Sequence, residues 1–451
     1  MPHNEMKQGE TMSELLSQMP LHIQDDLTLR FATTADADAI GAFNREHHDD
    51  NKDYDIVGRG VHHLVSGKHP TIRAEDFTVV EHAPSGRIVS SMCLLSQTWT
   101  YAGVEFPVGQ PEFVATDKEY RRRGLVRKQF EVIHELSASR GELMQGITGI
   151  PWYYSQFGYD MAMDLGGDRS VHRIHLRDAV KEPTCRLRPI VVGDEEFVRT
   201  LYAAGEGRHP LGVVRSDDLW QYELWIGRDK GCGAGEWKII ESPDGERIGY
   251  LAHNAWLEWS SLAVYQLELV QGACYLNLMP SLLRALWELG QDMVDTDIHP
   301  IKEIENVHLG LGDEHPAYVA VPAGKSRPGS PYAWFIRVPD IVGFLSHVRA
   351  GLERNLVGTP AEGYTGTLEI SFYRSGVRIA LERGAVTAIE EWYSDDARIR
   401  FTRETFMHLL CGRRRCRELT DMFADCSAPH IEAIVLDTLF PPFKGALWAA
   451  N

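Results

Sequence analysis

No other stretch of the chain narrows its possible folds as far as Pro111-Glu-Phe-Val-Ala-Thr-Asp-Lys-Glu-Tyr-Arg-Arg-Arg-Gly-Leu-Val-Arg127. It opens as a short strand, passes a charged turn, and enters a helix over Arg127–Ser139 with Phe130, Ile133 and His134 on one face. A helix starting there leaves its first four N–H groups without partners inside it, at the positive end of its dipole. Such an end takes an anion. Gly124 lacks the Cβ that would hold a phosphate off the backbone, and Arg121, Arg122, Arg123 and Arg127 place charge around the mouth. A solvated basic turn before an ordinary amphipathic helix is the plainer reading of so short a pattern. The strand-to-helix context favours the anion site.

A chain of 451 residues exceeds one core and divides into two to four domains. The apolar share of 43% suits a globular protein, and no run of about 18 apolar residues marks a membrane span. Met1–Pro20 has no secretory pattern, so the expected compartment is the cytoplasm. Seven cysteines stand without a Cys-x-x-Cys pair, which points to reduced thiols rather than disulfides or zinc. No His-x-x-x-His pair stands on a helix face, and no metal is expected. The net charge of −18 opposes nucleic acid as a partner and is compatible with a cationic substrate, although solubility alone would explain it.

Residues 1–26 are polar and aperiodic and read as a flexible arm. Leu27-Thr-Leu-Arg-Phe31 alternates as a strand, with an Asp36 cap and the helix Ala37–Glu46 behind it. Asp49, Asp50, Asp53 and Asp55 follow, either a solvated loop or the acidic wall of a cleft for an amine. Phe77–His82 and Arg87–Leu95 form a hairpin around Ala83-Pro-Ser-Gly86, and Gln97–Pro107 continues the meander. After the central helix come a strand to Thr148 and the run Gly149-Ile-Pro-Trp-Tyr-Tyr-Ser-Gln-Phe-Gly-Tyr159, a very short helix stopped by Gly158. At Arg186-Leu-Arg-Pro-Ile-Val-Val-Gly-Asp194 the motif of Leu27–Asp36 returns. Tyr265–Val270 and Leu278–Leu289 repeat the strand-to-helix step, now with Gln271-Gly-Ala-Cys-Tyr-Leu-Asn277 where the arginines stood. The chain therefore carries an internal duplication whose second copy has lost the anion site. Ser326–Ser330 reads as a linker, and beyond it alternating strands and helices make a third, α+β unit.

Arg121-x-x-Gly124, followed at the right distance by Tyr154-Ser-Gln-Phe-Gly-Tyr159, resembles the acyl-coenzyme-A segment of the GNAT acetyltransferases. The last unit, with Phe372-Tyr-Arg-Ser-Gly376, Leu409-Leu-Cys-Gly-Arg413 and Leu439-Phe-Pro441, is similar to the sterol-carrier-like domain of their enhanced-intracellular-survival branch. The resemblance implies a mixed α/β architecture: a GNAT domain over 27–170, a degenerate GNAT copy over 186–325 and a sterol-carrier-like domain over 331–451. It also implies a cytoplasmic hexamer that moves acetyl from acetyl-CoA to a primary amine, including aminoglycosides.

Acyl transfer needs a base for the amine, donors for the oxyanion and a proton for the leaving thiolate. By resemblance Tyr159 donates to the sulfur, and the strand edge of Val114, Ala115 and Thr116 pairs with the pantetheine arm. Arg121, Arg122, Arg123, Gly124, Leu125 and Val126 then grip the pyrophosphate. The base is either the terminal carboxylate of Asn451, by resemblance, or Glu112, which shares a strand face with Val114 and could equally be a plain solvent-facing acid. His47-His48 and His62-His63 lie near the expected cleft. Two rival readings are a non-catalytic acyl-CoA or lipid-binding protein working through the last unit, and a protein or lysine acetyltransferase.

Overall fold

The computed structural model describes residues 14–48, 55–150, 152–177, 180–226, 235–294, 301–321, 323–330 and 332–448. The N-terminal strands are β1 (Leu21–Gln24), β2 (Leu27–Phe31), β3 (Phe77–His82), β4 (Arg87–Tyr101), β5 (Val104–Thr116), β6 (Met144–Thr148) and β7 (Asp160–Leu165). They are followed by β8 (Arg169–His172), β9 (Arg186–Pro189), β10 (Leu211–Val214), β11 (Glu236–Glu241), β12 (Arg247–His253), β13 (Ser261–Leu269), β14 (Asn306–Leu309), β15 (Ser326–Pro328) and β16 (Tyr332–Arg337). The last unit holds β17 (Gly366–Ser371), β18 (Gly376–Glu382), β19 (Ala385–Glu391) and β20 (Ile399–Arg400). Among the described residues these make sheets of nine, seven and four strands, so the mixed α/β architecture expected from the sequence is found.

Sequence order is a poor guide to which sheet a strand joins. The first sheet runs β1-β2-β3-β4-β5-β6-β16-β7, with β10 paired to the far half of β4. The second runs β15-β8-β14-β13-β12-β11-β9. The expected boundaries are therefore corrected in four places. Arg169 onward belongs to the second sheet, Leu211–Val214 to the first, Ser326–Pro328 is a strand rather than a linker, and Tyr332–Arg337 enters the first sheet between β6 and β7. The arm is corrected as well. Glu14–Ser17 is helical and β1 is an edge strand paired with β2, with Leu16 and Leu29 in one apolar cluster. The Gln97–Pro107 segment divides at Ala102-Gly103, both at positive φ, where β4 turns back into β5.

The duplication has a physical basis that the spacing alone hinted at. Arg30 forks onto both carboxyl oxygens of Asp36, at 2.9 and 2.8 Å, and its Nε reaches Glu81 on β3. Arg188 does the same to Asp194, at 2.5 and 3.0 Å, with its Nε on Glu241 of β11. In each copy one guanidinium ties the strand, the following turn and the neighbouring strand together. The Arg30 contact holds the Asp36 carboxyl down to about 2.

The C-terminal sheet, ordered β19-β18-β17-β20, lies under helices that include Arg349–Leu356, Arg403–Leu410 and His430–Leu439. Its core is continuous with the lower half of the first sheet. Trp99, Phe106 and Trp334 join one cluster with Phe344, Phe406 and Leu436, and the Tyr101 hydroxyl donates to the Leu410 carbonyl at 2.9 Å. The two units are thus packed as one body. Among the described residues no helix is long and apolar enough to cross a membrane.

Candidate active site

The site begins where two parallel strands part. β5 and β6 are paired at Val108 with Met144 and at Gly109 with Gln145, and beyond that they separate. A bulge increases the bend: Phe113 and Val114 stand opposite Met92 alone, with Phe113 at φ 53. Between the strands opens a cleft of about 710 Å³. Glu112, Val114, Ala115 and Thr116 form one wall, and Ile147, Thr148 and Gly149 stand on the other. The edge of β5 in this cleft offers unpaired backbone donors and acceptors to an extended, amide-bearing arm. Val114, Ala115 and Thr116 are brought to the cleft as the sequence predicts.

One end of the cleft is the start of the helix Leu125–Ser139. Gly124 caps it in the left-handed region at φ 77, with open space where a Cβ would stand. The first intrahelical bond is Lys128 N–H to the Gly124 carbonyl at 3.0 Å, which leaves the N–H groups of Leu125, Val126 and Arg127 without helical partners. Arg121 donates to the Thr116 carbonyl at 3.3 Å and lines the cleft together with Arg122 and Arg127. Arg123 does not line it. Its guanidinium stacks on the Tyr120 ring, 4.9 Å from the centroid, and this corrects its expected place in the grip.

The other end carries Glu112, Tyr154, His47 and His48. Tyr159 is not among them. It is fully buried, its hydroxyl lies 3.0 Å from Nε2 of His134, and its ring packs on Phe130 behind the wall. Gly158, at φ 85, turns the chain so that Tyr159, just before β7, faces the helix, while Tyr154 on the preceding short helix faces the cleft. Tyr154, which the motif alone does not single out, is the tyrosine of the pair that lines the cleft. Both tyrosines fall in one aromatic run, and only the reversal at Gly158 separates their directions. Burial, with the Glu112 carboxyl nearby, pushes the Tyr154 phenol well above its ordinary range, so it remains a hydroxyl donor.

Glu112 stands on the cleft wall with its carboxyl pushed up to about 7 by burial. A relay opposes that shift. Gln97 donates to Gln110 at 2.6 Å, and Gln110 donates to Oε2 of Glu112 at 3.0 Å. A carboxyl that titrates near neutrality can take a proton from an amine and release it again. His47 and His48 also line the cleft, and burial lowers both, which favours neutral imidazoles. Asn451, and with it the terminal carboxylate, lies outside the described residues, as do Asp49, Asp50 and Asp53. Among the described residues no cluster of His, Cys, Asp and Glu could hold a metal ion.

In the second copy the corresponding wedge is partly filled. β13 and β14 are paired from Ser261 with Asn306 to Val264 with Leu309 and then part. Into the gap comes the chain's own tail: Gly445 bridges to Gly312, and the Trp448 indole donates to the Gly310 carbonyl at 2.9 Å. Gly312 sits at φ 92 with the backbone of Ala446 where its Cβ would be. His315 and an Arg208–Glu268 ion pair line about 50 Å³ beside it, and Val264, His308 and Gly310 border a second space of about 330 Å³ that Trp448 also lines.

Residues 29–162 match the sequence model of the acetyltransferase (GNAT) domain. No curated protein matches the chain in sequence. Solved structures share its fold along nearly all of its length. A GCN5-related N-acetyltransferase from Anabaena variabilis covers 93% of this chain and 99% of its own, at 12% identity and a TM-score of 0.63. A probable N-acyltransferase from Enterococcus faecalis covers 94% and 98%, at 12% identity and 0.62. Eis1 from Mycobacterium abscessus covers 94% and 99%, at 15% identity and 0.57. With the splayed strands and the open helix start inside the matched segment, residues 29–162 are a GNAT acetyltransferase domain, an acyltransferase unit whose cosubstrate is acetyl-CoA.

Proposed function

We propose that this chain transfers acetyl from acetyl-CoA to a primary amine, carried by a polyamine, an aminoglycoside or a lysine side chain. The observation that carries the proposal is a single cleft with an anion-binding helix start at one end and Tyr154 with Glu112 at the other. Acetyl-CoA supplies the activated acyl group. The N–H groups of Leu125, Val126 and Arg127, with Arg121 and Arg122, hold its pyrophosphate, and the edge of Val114–Thr116 holds its amide-bearing arm. Glu112 takes the proton that the amine must lose to attack, and an N–H of the bulged strand serves the carbonyl oxygen. As the C–S bond breaks, Tyr154 gives its hydroxyl proton to the departing sulfur, and the proton that Glu112 took from the amine is returned to the phenol by way of water, restoring both groups.

The catalytic unit comprises residues 27–165 completed by Leu211–Val214 and Tyr332–Arg337, with the second copy acting as a scaffold that clamps the tail. The enhanced-intracellular-survival assignment, the sterol-carrier-like character of 331–451, the hexamer and the cytoplasmic location belong to the same proposal. The fold shared with Eis1 supports the assignment. Against the rival lipid-binding reading, Ile370, Ile379 and Val386 of the last unit already belong to one packed cluster with Phe406 and Leu436.

The test is thiol release from acetyl-CoA with spermidine, kanamycin and a lysine peptide, with products identified by mass spectrometry. Acetylated product with at least one amine is expected. Acetyl-CoA binding without turnover on any of the three would favour the non-catalytic reading.

A further inference from the structure

Gly149 ends the β6 wall of the cleft, directly across from the Tyr154 ring. A Cβ built on it would stand 2.6 Å from Cε2, 2.9 Å from the hydroxyl oxygen and 3.1 Å from Cζ of Tyr154. Contacts that short do not occur, so either the ring or the strand would have to move. The ring has little room. It is 5% exposed, meets Phe130 and Tyr153 edge to face at 6.1 and 5.3 Å, and leans on Phe335 at 5.9 Å. The open direction is the cleft itself. Phe130 is in turn stacked on Phe157 at 4.2 Å, so the tyrosine is braced from the helix side and bounded by bare backbone on the strand side.

We infer that Gly149 is a positioning residue for acyl transfer: its missing side chain is the space in which the Tyr154 hydroxyl sits in line with the departing sulfur. The inference rests on the reading of Tyr154 as the donor to that sulfur. Any side chain at 149 moves the phenol oxygen off its line while leaving the helix start and the β5 edge, which bind the rest of the cosubstrate, as they are. Proton delivery requires heavy atoms within about 2.6–3.2 Å. A displacement of about 1 Å lowers the rate by about 100-fold.

A double-mutant cycle separates this role from general damage. Thiol release from acetyl-CoA is measured with the best amine of the three-substrate panel, and acetyl-CoA affinity by calorimetry. Gly149→Ala alone is expected to lower kcat by about 10- to 100-fold with acetyl-CoA affinity within about threefold of the parent. Gly149→Ala added to Tyr154→Phe should produce no further loss, because the displaced hydroxyl is already gone. A parental kcat in Gly149→Ala, or losses that multiply in the double variant, would overturn the inference. A parental kcat in Tyr154→Phe alone would instead overturn the reading of Tyr154 on which it rests. If Gly149→Ala does not fold, the comparison moves to Tyr154→Ala against Gly149→Ala/Tyr154→Ala, where no ring is left to clash. Equal turnover then supports the inference, and a further loss on adding the methyl group overturns it.

Discussion

The guanidinium of Arg127 donates to Oε1 of Gln156 at 2.9 Å, tying the first turn of the anion-binding helix to the short helix that carries Tyr154. Arg127 also lies over the Phe157 ring, 5.3 Å from its centroid. One side chain thus joins the binding end of the cleft to its reactive end. Arg127→Ala is expected to weaken acetyl-CoA binding and lower kcat together, each by about tenfold, the size of one charged hydrogen bond. Calorimetry beside steady-state kinetics checks the pairing, and a loss confined to one of them would refute it.

The neighbouring arginines divide by direction. Arg121 and Arg122 line the cleft, whereas Arg123 stacks on Tyr120. Arg121→Ala/Arg122→Ala should raise the acetyl-CoA Kd at least tenfold with an unchanged melting temperature, while Arg123→Ala should leave Kd within about twofold. Equal weakening by both would show that Arg123 swings into the site.

Tyr159 and Tyr154 are expected to fail differently. Tyr159→Phe leaves Nε2 of His134 without its phenol partner in a buried position, a penalty of about 1–3 kcal/mol. The melting temperature should fall while turnover stays near the parental rate. Tyr154→Phe should do the reverse. Thermal scans and kcat values on the same samples decide it.

Glu112 gives a pH signature with a definite sign. Its carboxyl is raised from 4.5 to about 7 in the folded chain, so between those values the folded state holds a proton that the unfolded state has lost. The stabilisation is complete below about pH 4.5 and is lost as pH rises through about 7. Glu112→Gln cannot ionise, so its melting temperature should gain on the parent between about pH 5 and about pH 8. Over the same range the parent's kcat/KM should rise with an inflection near 7, and the variant's should stay low and flat. A parental inflection in Glu112→Gln would assign the proton to another group.

The tail clamp is testable by proteolysis. A methyl group on Gly312 would meet the Ala446 nitrogen at 2.5 Å, in a backbone conformation side chains avoid. The Lys444 side chain is about half exposed. Gly312→Ala should therefore speed tryptic release of residues 445–451, followed by mass spectrometry, with the rest of the digestion pattern unchanged.

Local structure was more legible in the sequence than its partners. Leu27–Phe31, Phe77–His82 and the turn at Ala83–Gly86 stand where alternation and turn chemistry put them. So does the strand-turn-helix around Gly124, because each depends on neighbours in sequence. Tyr332–Arg337 alternates like any buried strand, and nothing in its residues says that it lies between Thr148 and Met163. At the site, Glu112 and Val114–Thr116 follow from strand alternation, whereas choosing Tyr154 over Tyr159 required knowing which way Gly158 turns and that His134 waits behind the wall.

The late strand Tyr332–Arg337 also sets an order for synthesis. Until Arg337 has left the ribosome, β6 and β7 face an empty lane in their sheet, and the wall that carries Thr148 and Gly149 is held from the β5 side alone. The nascent chain must keep its acyltransferase half-built while the whole second copy is translated, and competence for acyl transfer arrives late, when a segment far along the message slides into the gap.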